Sequence, residues 1–163
     1  MKNKGFTLIE LIVGMGIFVI IISVVLSLFM SALTGQRKVL AQQNVQDNAR
    51  YLLGFIAKEL RMSDIKSVST NTLVIKRHDG TEVSYTFDNS EKQIERNDGL
   101  TSGPINSDQV LVTGRFYGSG IAPSDDIQPR ITIVLKLETI NNKPEERVEL
   151  NIQVTLSQRN LGS

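Results

Sequence analysis

Residues 4–30 read KGFTLIELIVGMGIFVIIISVVLSLFM, and this run organises the rest of the 163-residue chain. No residue between Glu10 and Arg37 carries a charge. At about 1.5 Å per residue, Leu11 to Met30 forms a helix about 30 Å long, the thickness of a hydrocarbon core. Such a length, filled with Ile, Val and Leu, predicts a membrane segment rather than the core helix of a soluble domain. Lys2 and Lys4 supply the positive start of a secretory signal, but an ordinary signal has an apolar run of about 7 to 15 residues and then a small-residue cleavage site. Here the run is longer and passes into a polar helix, so any cut is expected before it. The basic flank favours an N-terminus in the cytoplasm, a bias weakened by Arg37 and Lys38 on the far side.

Glu10 interrupts the apolar pattern, and a carboxylate facing lipid is costly. Thr7 and Glu10 have the spacing of a capping box, in which each side chain satisfies an orphan N–H at a helix start. The negative charge also suits the positive end of the helix dipole. A role beyond capping is expected as well, because capping alone does not explain a charge at the edge of the bilayer.

Outward from this run, Arg37 to Met62 contains no proline, and Val45, Ala49, Leu52, Ile56 and Leu60 recur every three or four residues. That stripe predicts one continuous helix from about Phe6 to about Met62, its first half in lipid and its second half laid on a soluble domain. Gly35 suggests a bend and Gly54 a close packing contact, since glycine is unfavourable in a helix interior. Beyond Asp64 the period becomes two. Leu73 and Ile75, then Val83, Tyr85 and Phe87, flank His78-Asp79-Gly80-Thr81 as a hairpin. Gln93–Arg96 and Val110–Tyr117 read as further strands. Ile131 to Leu137 and Val148 to Leu156 form the last two, joined antiparallel through Asn141-Asn142-Lys143-Pro144. The expected fold is α+β, a long helix packed on an antiparallel sheet.

Composition removes several functions. Lys and Arg number 18 against 17 Asp and Glu, and there is no Cys, which excludes thiolate nucleophiles, Cys-ligated zinc and disulfides. The sole His, His78, sits in a turn beside Asp79 and reads as a solvated residue; no His-based triad or His-rich metal site can be built from it. Gly118-Ser119-Gly120 follows a strand without a helix behind it, so it reads as a turn rather than a phosphate cradle. Asp125 and Asp126 are weak candidates for calcium in the loop Gly118–Pro129, lacking EF-hand spacing and more simply solvated. Residues 63–163 hold 11 Lys and Arg against 14 Asp and Glu, which disfavours direct nucleic-acid binding. Neither an enzyme nor a cofactor is expected.

The segment Lys4-Gly5-Phe6-Thr7-Leu8-Ile9-Glu10 resembles the N-terminal signal of type IV pilins and type II secretion pseudopilins. The resemblance implies cleavage between Gly5 and Phe6 by a prepilin peptidase, N-methylation of Phe6, and pairing of Glu10 with the amine of Phe6 on a neighbouring subunit. It further implies other pilin or pseudopilin subunits as partners, an inner-membrane platform protein and, indirectly, an assembly ATPase. Residues 1–5 would be a leader, 6–35 the transmembrane and filament-core helix, and 36–163 a pilin-like globular domain that includes the amphipathic half of the helix. The chain would sit first in the cytoplasmic membrane, then in a filament in the periplasm or at the cell surface. QDNARYLLGFIAKELRMSDI and a final strand ending VTLSQRN resemble J-type minor pseudopilins and W-type minor pilins. The chain departs from many major pilins in lacking a membrane-helix proline and a C-terminal disulfide. Gly14 and Gly16 either permit close helix approach or are ordinary membrane-helix glycines. The rival reading is a membrane-tethered extracellular ligand-binding module whose anchor is never processed, with its functional surface on the sheet or on the Gly118–Pro129 loop.

Overall fold

The computed structural model describes residues 5–121, 128–140 and 147–158. One helix, α1 (Leu8–Arg61), runs through 54 residues without a break, about 80 Å at 1.5 Å per residue. Thr7 caps its start; at its end the Met62 N–H donates back to the carbonyls of Glu59 and Leu60. Gly35 and Gly54 are both passed without interruption. A Cβ built on Gly54 would meet nothing within 4 Å, so the close contact expected there is absent from the isolated chain. The reason is angular: Gly54 lies two residues from the buried Leu52, which puts it on the opposite side of the helix.

Among the described residues eight strands follow: β1 (Ser63–Val68), β2 (Thr72–Arg77), β3 (Glu82–Asp88), β4 (Gln93–Asn97), β5 (Ser102–Pro104), β6 (Val110–Ser119), β7 (Arg130–Thr139) and β8 (Glu149–Ser157). All pairings are antiparallel. The strands form a five-stranded sheet in the order β1-β2-β3-β4-β5 and a three-stranded sheet in the order β6-β7-β8. The expected antiparallel layer is thus two ladders. They meet because the free edge of β6 receives the loops of the first sheet: Val112 N–H donates to the Lys92 carbonyl at 2.7 Å, Gly114 N–H to Asn89 Oδ1 at 3.2 Å, and Phe116 N–H to the Thr70 carbonyl at 2.8 Å.

The hairpin at His78–Thr81 forms as its residues dictate. Arg77 N–H reaches the Thr81 carbonyl at 2.9 Å, and Gly80 adopts φ +88°, a conformation that favours glycine. Strands β1 and β5 were not evident from alternation. In β1 a bulge between Ile65 and Ser67 breaks the period, while β5 is Ser-Gly-Pro and has no apolar residue to alternate. The Asn141–Pro144 turn lies outside the described residues, although β7 and β8 pair antiparallel.

The helix stripe Val45, Ala49, Leu52, Ile56 and Leu60 is buried in one continuous core with Leu73, Ile75, Val83, Tyr85 and Phe87 of the first sheet and Val112, Phe116, Ile133 and Leu135 of the second. Each large aliphatic side chain buried there contributes roughly 1.5–3 kcal/mol. Phe87 and Phe116 join the sheets, their ring centroids 4.6 Å apart. This contact requires a glycine at 114, where a Cβ would lie 2.7 Å from both Phe87 Cζ and the Val134 carbonyl oxygen.

Candidate functional site

The site built by the opening motif is the start of α1. Gly5, Phe6 and Thr7 lie outside the helix, and the Thr7 backbone is extended (φ −81°, ψ 149°), as an N-cap requires. Thr7 Oγ1 accepts from the Glu10 N–H at 3.4 Å. In return Glu10 Oε2 accepts from the Thr7 N–H at 3.1 Å and from the Thr7 hydroxyl at 2.8 Å. The box is therefore complete, and every bond that Thr7 makes to the carboxylate falls on Oε2. Capping occupies one carboxylate oxygen of Glu10, so it does not compete with an external cation at Oε1. Phe6, immediately before the cap, is 81% exposed.

Behind this start, every apolar side chain from Leu8 to Met30 is exposed. The helix is long and apolar enough to cross a membrane, and none of its most apolar window is buried against the domain. Two of its hydroxyls bond back to the helix: Ser23 Oγ donates to the Val19 carbonyl at 2.7 Å and Thr34 Oγ1 to that of Met30 at 3.1 Å. Such i−4 bonds let hydroxyls sit in lipid without an unpaired donor. A Cβ on Gly14 or Gly16 would meet open space, so neither glycine is required within the single chain. Where the apolar half ends, polar residues tie the helix to the domain. Asn44 Nδ2 donates to Gln109 Oε1 at 3.2 Å, and the Ser107 N–H donates to Asn48 Oδ1 at 3.1 Å.

At the other end of the helix lies a polar cluster that sequence reasoning missed. Glu59 is 9% exposed. It accepts from Arg77 of β2, from the Tyr85 hydroxyl of β3, and from Arg96 of β4, whose Nη2 is 3.2 Å away. Arg96 continues to Asp98 at 2.9 Å and stacks over the Phe55 ring at 5.7 Å. Burial pushes the Glu59 carboxyl up, but the bonds from Tyr85, Arg96 and Arg77 together outweigh it and hold the group below the usual carboxylate range. The Tyr85 hydroxyl is pushed far up, first by burial and then by the adjacent carboxylate. Asp98 is held well down by the Thr101 N–H and then by Arg96. The available signal was Glu59 falling three residues after Ile56 and seven after Leu52, inside the buried stripe. Of the adjacent basic residues Lys76 and Arg77 in β2, Arg77 is turned onto Glu59.

His78 is exposed in its turn, on the rim of a cleft that Phe55, Met62 and Arg77 also line. A shallow groove crosses the second sheet at Thr113, Tyr117, Lys136 and Asn151. Asp125 and Asp126 lie outside the described residues. Among the described residues, no group of three or more His, Asp or Glu side chains is placed to hold a metal.

Comparison with known families finds one match. The family model for the prokaryotic N-terminal methylation motif covers residues 1–34, which include Gly5, Phe6, Thr7, Glu10 and the apolar run as far as Thr34. No curated protein and no solved structure matches the chain. The chain thus carries a prokaryotic N-terminal methylation motif at the head of a helix long and apolar enough to cross a membrane.

Proposed function

We propose that the chain is a structural subunit of a type IV pilus-like or type II secretion pseudopilus filament, assembled through α1. One observation carries this reading: the methylation motif contains a complete capping box that opens a helix exposed along its whole apolar length. An enzyme would need clustered chemistry. This chain presents a long apolar surface suited to lipid and to other helices of the same kind.

In this reading residues 1–5 are a leader, 6–35 the membrane and filament-core helix, and 36–163 the globular domain. The scissile peptide Gly5–Phe6 lies one residue ahead of the N-cap, in non-helical backbone, so a prepilin peptidase reaches it without unwinding the helix. Cleavage exposes the Phe6 amine, which is then methylated and remains cationic. Glu10 keeps its cap through Oε2 and offers Oε1 to the Phe6 amine of a neighbouring subunit. A membrane platform protein and an assembly ATPase would move the subunit from bilayer to filament. The helix segment QDNARYLLGFIAKELRMSDI and the terminal VTLSQRN support a minor subunit of J or W type.

Mass spectrometry of the mature N-terminus tests the proposal. A chain beginning at N-methylated Phe6 is the expected result. An intact Met1 in cells with active peptidase overturns it in favour of an unprocessed, membrane-tethered binding module.

A further inference from the structure

Two sheets have four outer edges, and here three of them are closed by familiar devices. Strand β5 is three residues long and ends in Pro104. Strand β1 is bulged between Ile65 and Ser67 and carries Asp64 and Lys66. The edge of β6 is covered by loops from the first sheet. Among the described residues the fourth edge, β8, has none of these. Over nine residues it holds straight register with β7, contains no proline, and bears no charge after Glu149.

The ladder bonds show what this edge presents. The Val148 carbonyl accepts from Thr139 and the Gln158 N–H donates to Pro129, so the even-numbered residues of β8 face β7. Antiparallel alternation then directs the N–H and C=O groups of Asn151, Gln153 and Thr155 outward. None of these groups has a backbone partner among the described residues. The apolar layer also stops half-covered. Leu150, Ile152 and Leu156 are only partly buried, whereas their cross-strand partners Leu137, Leu135 and Ile131 are at most 1% exposed.

We propose that the β8 edge accepts an extended segment from a different subunit, added as a fourth strand of the second sheet. Outward N–H and C=O groups in alternation specify an extended backbone as the occupant. The half-covered row specifies an apolar side chain at every second position beside Leu150, Ile152 and Leu156. A second copy of β8 meets the same chemical demands, but symmetry removes it. Antiparallel pairing of two β8 strands turns about an axis normal to the sheet and reverses every direction in the sheet plane, including that of α1 packed on its face. Two apolar helices pointing opposite ways cannot enter one bilayer leaflet or one polar filament together. This last step rests on the membrane-anchored filament reading; the edge itself does not.

The test is amide-resolved hydrogen exchange on the full chain, once in detergent micelles and once in the assembled membrane and filament fraction. The Asn151, Gln153 and Thr155 amides are expected to exchange freely in micelles and to slow by about 100-fold or more after assembly, while the Leu150, Ile152 and Val154 amides are protected in both. Gln153→Pro removes an outward N–H and spares the β7 ladder, so it should keep the parent thermal midpoint and lose the assembly-linked protection. Gln153→Lys, which places a charge on the edge strand without touching the backbone, should do the same. Fast exchange at all three amides in an assembled chain with methylated Phe6 overturns the edge proposal and leaves the filament reading standing. Protection that rises with chain concentration in micelles alone overturns the choice of a different subunit. An intact Met1 counts against the filament reading instead, and the exchange comparison in the membrane fraction still decides the edge.

Discussion

At the scale of single residues, two glutamates at opposite ends of α1 do different things. Glu10 uses one oxygen for its cap, so Glu10→Gln keeps an acceptor for Thr7 and loses only the charge. Processing and membrane insertion are expected to stay normal, while incorporation into filaments, measured by immunoblot of the sheared fraction, falls at least about tenfold, as the loss of a charge-assisted bond predicts. Equal incorporation of the variant would remove the amine-pairing role. Glu59, by contrast, anchors the helix to the first sheet. Glu59→Ala leaves Arg96 without its main partner and the Tyr85 hydroxyl without its acceptor; removing one side of such a buried pair costs about 3 kcal/mol. The drop should appear as a lower thermal midpoint of the full chain in detergent. The sign of the pH effect follows from the lowered folded pKa of Glu59. Its contribution is complete above the ordinary value of 4.5 and is lost as the pH falls through the folded value. Between about pH 6 and about pH 3 the parent should therefore lose more stability than Glu59→Gln, whose side chain does not titrate. Equal losses would show that Glu59 does not carry the linkage. The first glutamate was legible in the sequence because its partner is three residues away. The second was not, because its partners lie 18, 26 and 37 residues away on three strands, a distance that no local pattern encodes.

At the scale of elements, periodicity was informative wherever one face of an element is uniformly buried. The stripe from Val45 to Leu60 and the alternation in β2, β3, β7 and β8 name their own inward faces. It failed for β1, where the bulge puts Ile65 and Val68 three apart, and for β5, which buries no apolar side chain. The two informative glycines are predicted to respond in opposite directions. Gly54→Ala fills open space on the exposed helix face and should raise stability by about 1 kcal/mol, the propensity difference alone. Gly114→Ala drives a methyl into the Phe87 ring and the Val134 carbonyl and should cost about 1–3 kcal/mol, the usual range for overpacking. Chemical denaturation of each variant in the same detergent checks both; a neutral Gly114→Ala would mean that the Phe87–Phe116 contact yields easily.

At the scale of the whole molecule, the fold class was legible because a membrane-length run, a helical stripe and a series of alternating strands occur in that order along the chain. The division into two sheets was not. It depends on the Lys92 and Thr70 carbonyls and the Asn89 side chain closing the edge of β6, and backbone acceptors in loops leave no trace in residue type. The same holds for the candidate site. Its N-terminal half is a contiguous motif that can be read letter by letter, whereas the open flank of β8 exists only once its neighbours are in place.

A rod of 54 residues with no proline and no internal break is also a mechanical object. Its hydrogen-bond ladder carries a pull or a twist applied in the bilayer along its length, and Glu59 with the Val45–Leu60 stripe clamps its far end to the sheets. Tilt the buried half by some angle and the domain tilts by the same angle, so one orientational variable governs both the anchor and everything that the exposed surface can reach.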